Sequence, residues 1–148
     1  MVQIAVFGAS NPSKDEISLA EKVGYLLGKA GCVVICGGLG GVMEAAARGA
    51  RSAGGITIGI LPSSNPRTAN SYIDFPIATG LGEARNFIII NTSDALVAVD
   101  GKYGTLTEIA AALGLGKIVA GISTWDIPGV HPFETAQEAM DYIYSVLR

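Results

Sequence analysis

Short runs of apolar, β-branched residues alternate along the chain with longer stretches whose apolar positions recur at helical spacing, the pattern of repeated β-α-β units. The strand-like runs lie at residues 2–7, 32–36, 56–61, 75–79, 95–99 and 118–122. Between and after them the pattern predicts helices at 15–29, 42–52, 82–92, 105–115 and 135–147. Run 32–36 is apolar throughout and run 56–61 at every position but Thr57, as strands are when helices cover both faces of a parallel sheet. The expected fold is therefore α/β, a Rossmann-like three-layer α/β/α arrangement around a mostly parallel sheet of about six or seven strands. From Pro62 to Tyr72 the composition turns to Pro, Ser, Asn, Arg and Thr, which marks a surface loop. A loop of that length is either functional or simply flexible.

The length, 148 residues, suits one Rossmann-like domain over 1–148, and no linker, repeat or low-complexity segment divides it. Charged residues make up 16% of the chain, against about 25% in typical soluble domains. With a mean hydropathy of +0.43, this points to apolar surface covered by further copies in a homodimer or homotetramer. A net charge of −3 and no run of basic residues argue against a nucleic-acid partner. The first residues read as a strand, without the basic start and cleavage site of a signal peptide. No apolar run approaches the roughly 20 residues that span a bilayer. A cytoplasmic protein with no membrane partner is expected. Cys32 and Cys36 share one strand, roughly 13 Å apart at about 3.3 Å per residue, too far for a disulfide. With a single His and no Cys cluster, no metal ligand set is expected.

Three glycine-containing turns follow strands, where open α/β sheets bind ligands. They are Gly8-Ala-Ser10, Gly37-Gly-Leu-Gly-Gly41 and Asp100-Gly-Lys-Tyr-Gly-Thr105. Glycine lets backbone approach an anion closely, and the helix that follows offers unpaired N–H groups and its dipole. One such turn needs no ligand to explain it, but three at one sheet edge point to a phosphate-bearing small molecule. A dinucleotide fingerprint is absent: the first turn reads Gly-Ala-Ser-Asn-Pro, and run 32–36 ends in Cys36-Gly37 without a ribose-binding acid. No Walker loop occurs either.

Glu108 lies on the same helical face as Thr105, one turn deeper than the proposed anion site. Spacing alone prefers a capping role, because Thr105-Leu-Thr-Glu108 is a capping box, like Ser13-Lys-Asp-Glu16 and Thr135-Ala-Gln-Glu138. Arg85 stands at a helix start, where a cation opposes the dipole unless it meets an anion. It either reaches a ligand, pairs with Glu83, or faces water. Glu44 and Arg48 are spaced as a surface helix pair, with a minority functional reading from their closeness to the Gly37 turn. Lys102 and Arg67 are loop cations that normally face water, and His131 and Trp125 read as structural.

Together, Gly37-Gly-Leu-Gly-Gly-Val-Met-Glu44, Gly54-Gly-Ile-Thr-Ile-Gly-Ile-Leu-Pro62, Arg85 and Gly104-Thr-Leu-Thr-Glu108 resemble the Lonely Guy family and its molybdenum-cofactor carrier relatives. That superfamily is often mislabelled as lysine decarboxylase. The match runs in order from about Val2 to Leu115, which makes it more specific than any single glycine motif. It implies a Rossmann-like fold and an oligomer. Lonely Guy enzymes cleave the N-glycosidic bond of cytokinin nucleoside 5′-monophosphates, releasing base and ribose 5-phosphate, whereas the carriers bind molybdenum cofactor, a phosphorylated pterin. Matched by position, Glu108 and Arg85 are the family's catalytic pair, and Gly101, Gly104 and Thr105 its phosphate turn. With the three turns, the expected ligand-binding set is Gly8, Ser10, Gly37, Gly38, Gly40, Gly41, Met43, Glu44, Gly101, Lys102, Tyr103, Gly104 and Thr105. Where the enzymes read Pro-Gly-Gly-x-Gly-Thr and Arg-Lys, this chain has Asp100-Gly-Lys-Tyr-Gly-Thr105 and Arg85-Asn86. Those departures favour a carrier-like binder of a phosphorylated nucleotide-like ligand. No cofactor is required, and the bound molecule is either molybdenum cofactor or a nucleoside monophosphate. The alternative is a nucleoside 5′-monophosphate phosphoribohydrolase.

Overall fold

The computed structural model describes residues 1–148. Its strands are β1 (Gln3–Gly8), β2 (Val33–Cys36), β3 (Ile56–Leu61), β4 (Phe75–Ala78), β5 (Ala95–Val99), β6 (Ile118–Ile122) and β7 (Val130–Phe133). The helices are α1 (Lys14–Lys29), α2 (Val42–Ser52), α3 (Asn86–Thr92), α4 (Tyr103–Gly114) and α5 (Ala136–Val146). All seven strands form one sheet in the order β4-β3-β2-β1-β5-β6-β7, and every pairing is parallel. The chain winds outward from β1 to β4, then restarts at β5 on the other side of β1. The order therefore reverses between β1 and β5, which opens a crevice beyond their carboxyl ends.

Alternate side chains of the central strands feed two cores. Ile4, Val6, Val34, Val97 and Val99 pack with α1, α2 and α5. Ala5, Phe7, Ile35, Leu96 and Ala98 pack with α3 and α4 on the opposite face. The first face has three helices over it and the second only two, one of them seven residues long. Phe87 and Ile88 of α3, with Leu81, Phe75 and Ile77 nearby in sequence, remain exposed.

Most elements match the pattern to within one or two residues, and four points differ. The sequence gives no signal for β7, because Val-His-Pro-Phe is short, half-polar and carries a proline. Proline removes a ladder donor and is admitted at sheet edges. Both edge strands contain one, Pro76 in β4 and Pro132 in β7, which discourages pairing with another sheet. The expected helix at 82–92 is a 3-10 turn, Gly82–Arg85, followed by α3. α4 begins at Tyr103, two residues before the expected start. Arg48 pairs with Glu21 of α1 at 3.1 Å rather than with Glu44, because the tight α1–α2 packing brings a neighbouring helix closer than the next turn.

Candidate functional site

The two capping boxes expected at Ser13 and Thr135 form, each with its glutamate reaching back to the cap N–H. The third does not. Since α4 starts at Tyr103, its cap is Lys102 and Thr105 sits already in the first turn, with no side-chain cap bond. α2 is likewise uncapped at Gly41. Glu108 therefore lies inside α4, clear of the terminus, and is not a capping residue. The first amides of an uncapped helix have no intrahelical acceptor. At α4 these belong to Tyr103, Gly104 and Thr105, at the crevice where the strand order reverses.

The turn before α4 has a demanding backbone. Asp100 holds a left-handed conformation at φ 52° and Gly101 at φ 104°. A Cβ on Gly101 would lie 2.2 Å from Thr105 Oγ1, so only glycine fits. Thr124 Oγ1 donates to the Asp100 carbonyl at 2.6 Å. The Trp125 indole N–H donates to the Lys102 carbonyl at 2.9 Å. The Trp125 ring also lies 5.9 Å from that of Tyr103, which is 78% exposed. Trp125 is thus the residue that pins the turn, a role its sequence neighbours do not signal. The turn faces Ser10 and Asn11 across a polar recess of about 220 Å³, with Asp100, Lys102 and Thr105 on its wall.

Gly104 lines this recess and also a second, mostly apolar pocket of about 360 Å³ between α3 and α4. Ala84, Phe87, Ile90 and Ala111 provide its apolar lining, and Glu108 and Asn86 its polar side. Asn86 Nδ2 donates to Glu108 Oε1 at 3.2 Å and to Glu83 Oε2 at 3.3 Å. Burial pushes the Glu108 carboxyl up from its usual value near 4.5 to about 7; the Arg85 charge pulls it back and the Glu83 charge adds to the rise. The native state therefore keeps this proton longer than the unfolded chain does. The carboxyl is neutral to stability below about pH 4.5, and ionising it penalises the fold increasingly up to about pH 7. Glu108→Gln is expected to raise the melting temperature at pH 8 and leave it unchanged at pH 4. Equal shifts at both pH values would show that the carboxyl is not held this way.

Arg85 is only 5% exposed and neither pairs with Glu83 nor faces water. Its Nη1 donates to the Gly37 carbonyl at 2.6 Å and to the Ile60 carbonyl, tying the ends of β2 and β3 together. Its Nε is buried without a partner. Burial lowers the guanidinium pKa, and the charges of Glu83 and Glu108 oppose that. Gly37 has no side chain because one would collide with this guanidinium and with Met43 Sδ, at 2.8 and 2.6 Å.

The remaining predicted residues divide between the recess and its supports. Gly8 ends β1 where a Cβ would strike the Val99 carbonyl and Val42. Gly38 is buried, its N–H on Cys36 Sγ at 3.4 Å and its carbonyl on Asn70 N at 2.9 Å. Asn70 Nδ2 also donates to the Leu39 carbonyl at 2.8 Å, so the 62–72 loop braces the Gly37 turn from outside. Gly40 is exposed, whereas Gly41 packs on the Ala9 and Ser10 carbonyls. Glu44 lines a separate shallow groove with Ser10, Asn11 and Arg48. Burial pushes the Cys36 thiol up to about 11, which rules it out as a thiolate nucleophile at neutral pH. No three His, Cys, Asp or Glu residues cluster in a way that would hold a metal ion, and no helix is long and apolar enough to cross a membrane.

The SLOG cluster4 family model matches residues 1–146. The molybdenum cofactor binding protein of the phototrophic bacterium Rippkaea orientalis superposes with a TM-score of 0.94 at 33% identity, covering 99% of this chain and 98% of that one. The Moco carrier protein of Chlamydomonas reinhardtii superposes at 0.90 with 33% identity, covering 99% and 97%. In sequence, an uncharacterised protein of Archaeoglobus fulgidus is 47% identical over 98% of this chain and 96% of its own length. The cytokinin riboside 5′-monophosphate phosphoribohydrolase of Mycobacterium tuberculosis is 34% identical over 111 residues, which is 72% of this chain and 59% of that enzyme.

Proposed function

Because this chain belongs to the SLOG cluster4 family, we propose that it is a binding protein for a phosphorylated, nucleotide-like ligand, of the molybdenum-cofactor-carrier kind. The observation that carries the reading is the uncapped start of α4, set at the sheet's reversal point and opening on both a polar recess and an apolar pocket. The amides of Tyr103, Gly104 and Thr105, the Thr105 hydroxyl and the Lys102 ammonium would hold the phosphate. Ser10 would close the recess from the β1 side. Gly37, Gly38, Gly41 and Met43 would act by shaping the neighbouring turn, since their close packing leaves them a supporting part. The organic portion of the ligand would occupy the pocket between α3 and α4. The exposed Phe87, Ile88 and Leu81 beside that pocket support assembly into a homodimer or homotetramer.

Gly104 gives a direct test. A Cβ there meets nothing within 4 Å, so Gly104→Ala leaves the fold free and places a methyl group between the two pockets. The expected result is an unchanged or slightly higher melting temperature, with binding of a nucleoside monophosphate weakened about tenfold or more in calorimetry. Equal affinity in the variant would remove the ligand from this place.

A second reading, phosphoribohydrolase activity, is supported by the Arg85 charge acting on the Glu108 carboxyl and by the mycobacterial relative. There Glu108 would stabilise positive charge on the ribose or position water, and Arg85 would orient substrate. Two features favour binding without cleavage: Arg85 Nη1 is already held by backbone carbonyls, and Glu108 has a neutral amide beside it. Incubation with AMP and GMP followed by chromatography is expected to show bound, intact nucleotide. Base release that disappears in Glu108→Gln would overturn the binding-only reading.

A further inference from the structure

The pocket between α3 and α4 has an unusual balance of hydrogen-bonding groups. Both amide hydrogens of Asn86 are committed, one to Glu108 and one to Glu83, and two carboxylate partners fix the amide's orientation. The hydroxyl of Thr107 donates to the Tyr103 carbonyl at 2.9 Å. The polar side chains lining the pocket are Glu83, Asn86, Thr107 and Glu108. With the carboxyls ionised, what they still offer is acceptors: the second oxygen of each carboxylate, the remaining lone pair of each oxygen that Asn86 binds, Asn86 Oδ1 and the Thr107 oxygen lone pairs. The rest of the lining is apolar, and its size suits a flat ring. A ligand entering here must bring donors, or leave those acceptors dry.

We propose that this pocket recognises the adjacent ring N–H and exocyclic NH₂ of a 2-aminopyrimidin-4-one, with Glu108 as the acceptor and Asn86 as the residue that sets its specificity by holding it. That edge is shared by guanine-type purines and by pterins. Adenine presents an acceptor beside its amino group and leaves one Glu108 oxygen facing a lone pair. The inference deepens the binding function proposed above, and rests on it for the phosphate-bearing half of the ligand. It also accounts for an amide at position 86: a lysine there would set a positive charge against Glu108 and bring donors that compete with the ligand's own.

The charged groups facing Glu108 are Glu83 and Arg85 of the 82–85 turn. From α3 it faces the neutral Asn86, and on α4 itself Thr107. Since the carboxyl titrates near 7, its protonated form below that pH can donate to adenine, and its ionised form above it accepts from the aminopyrimidinone.

The test uses phosphate-free probes, guanosine, 6-hydroxymethylpterin and adenosine, alongside ribose 5-phosphate, in calorimetric titrations of the whole protein and of Glu108→Gln. At pH 8 the wild type is expected to bind guanosine or hydroxymethylpterin about tenfold tighter than adenosine. The preference should narrow at pH 6 and vanish in Glu108→Gln, while ribose 5-phosphate binds both proteins alike. Tighter binding of hydroxymethylpterin than of guanosine identifies a pterin ligand, and the reverse a purine. Adenosine bound as well as guanosine at pH 8, a preference that survives Glu108→Gln, or no binding of any phosphate-free probe at millimolar concentration overturns the inference. Ribose 5-phosphate failing to bind while ring discrimination persists would instead overturn the anion site alone.

Discussion

Arg85→Met is expected to destabilise the protein by about 3 kcal/mol and lower its melting temperature by roughly 6–12 °C. Methionine replaces most of the apolar stem, so the loss isolates the guanidinium. Nη1 serves the carbonyls of Gly37 and Ile60 at once, and both residues are buried. Removing it leaves two buried acceptors without donors, at about 1–3 kcal/mol each before water or relaxation compensates. Arg85→Lys should recover part of the loss, because one ammonium can reach one carbonyl but lacks the planar fork. Thermal and denaturant melts measure both. A shift below about 2 °C would mean that the carbonyls find other donors and that the arginine is not a structural tie. On the proposed function, ligand binding should fall in Arg85→Met as well, since the guanidinium fixes the Gly37 turn and helps to set the charge of Glu108.

The second large effect lies away from the site. Gly24→Ala is expected to destabilise the fold by about 2–3 kcal/mol, although alanine is favoured over glycine within a helix by about 1 kcal/mol. A Cβ on Gly24 would fall 1.9 Å from the Ala46 carbonyl oxygen of α2, and one on Gly49 of α2 would fall 2.0 Å from the Glu21 carbonyl oxygen of α1. Backbone is struck in both cases, so the helices must separate. Gly114 of α4 provides the control: a Cβ there meets nothing within 4 Å, so Gly114→Ala should stabilise by up to about 1 kcal/mol. If Gly24→Ala and Gly114→Ala move the melting temperature in the same direction, α1 and α2 do not pack as closely as the structure has them. Because Gly41, the residue before α2, packs against the Ala9 and Ser10 carbonyls, this crossing also fixes the β1 turn that closes the polar recess.

The family resemblance and the fold class were legible in order and period. A strand buried on both faces must be apolar at every position, as β2 and β5 are, and that is visible without neighbours. The capping boxes at Ser13 and Thr135 were equally readable, because a cap is a contact across three residues. The same local logic failed at Thr105. Whether Ser/Thr-x-x-Glu caps a helix depends on where the helix begins, and here the Asp100–Gly101 turn moves that start to Tyr103. Edge strand β7 was illegible for a related reason, since its pairing with β6 comes from a partner distant in sequence and overrides weak local preference.

By itself, then, the sequence determined the α/β alternation, the glycine turns and the presence of an arginine and a glutamate at positions 85 and 108. Only the tertiary structure decided what those two residues experience. Arg85 became a buried tie because the ends of β2 and β3 turn their carbonyls toward it. Glu108 became a carboxyl titrating near 7 because folding buries it and sets Glu83 near it, against the pull of Arg85. Periodicity and turn chemistry act between near neighbours along the chain. Burial, charge and the count of unused hydrogen-bonding groups arise between segments the chain brings together only on folding.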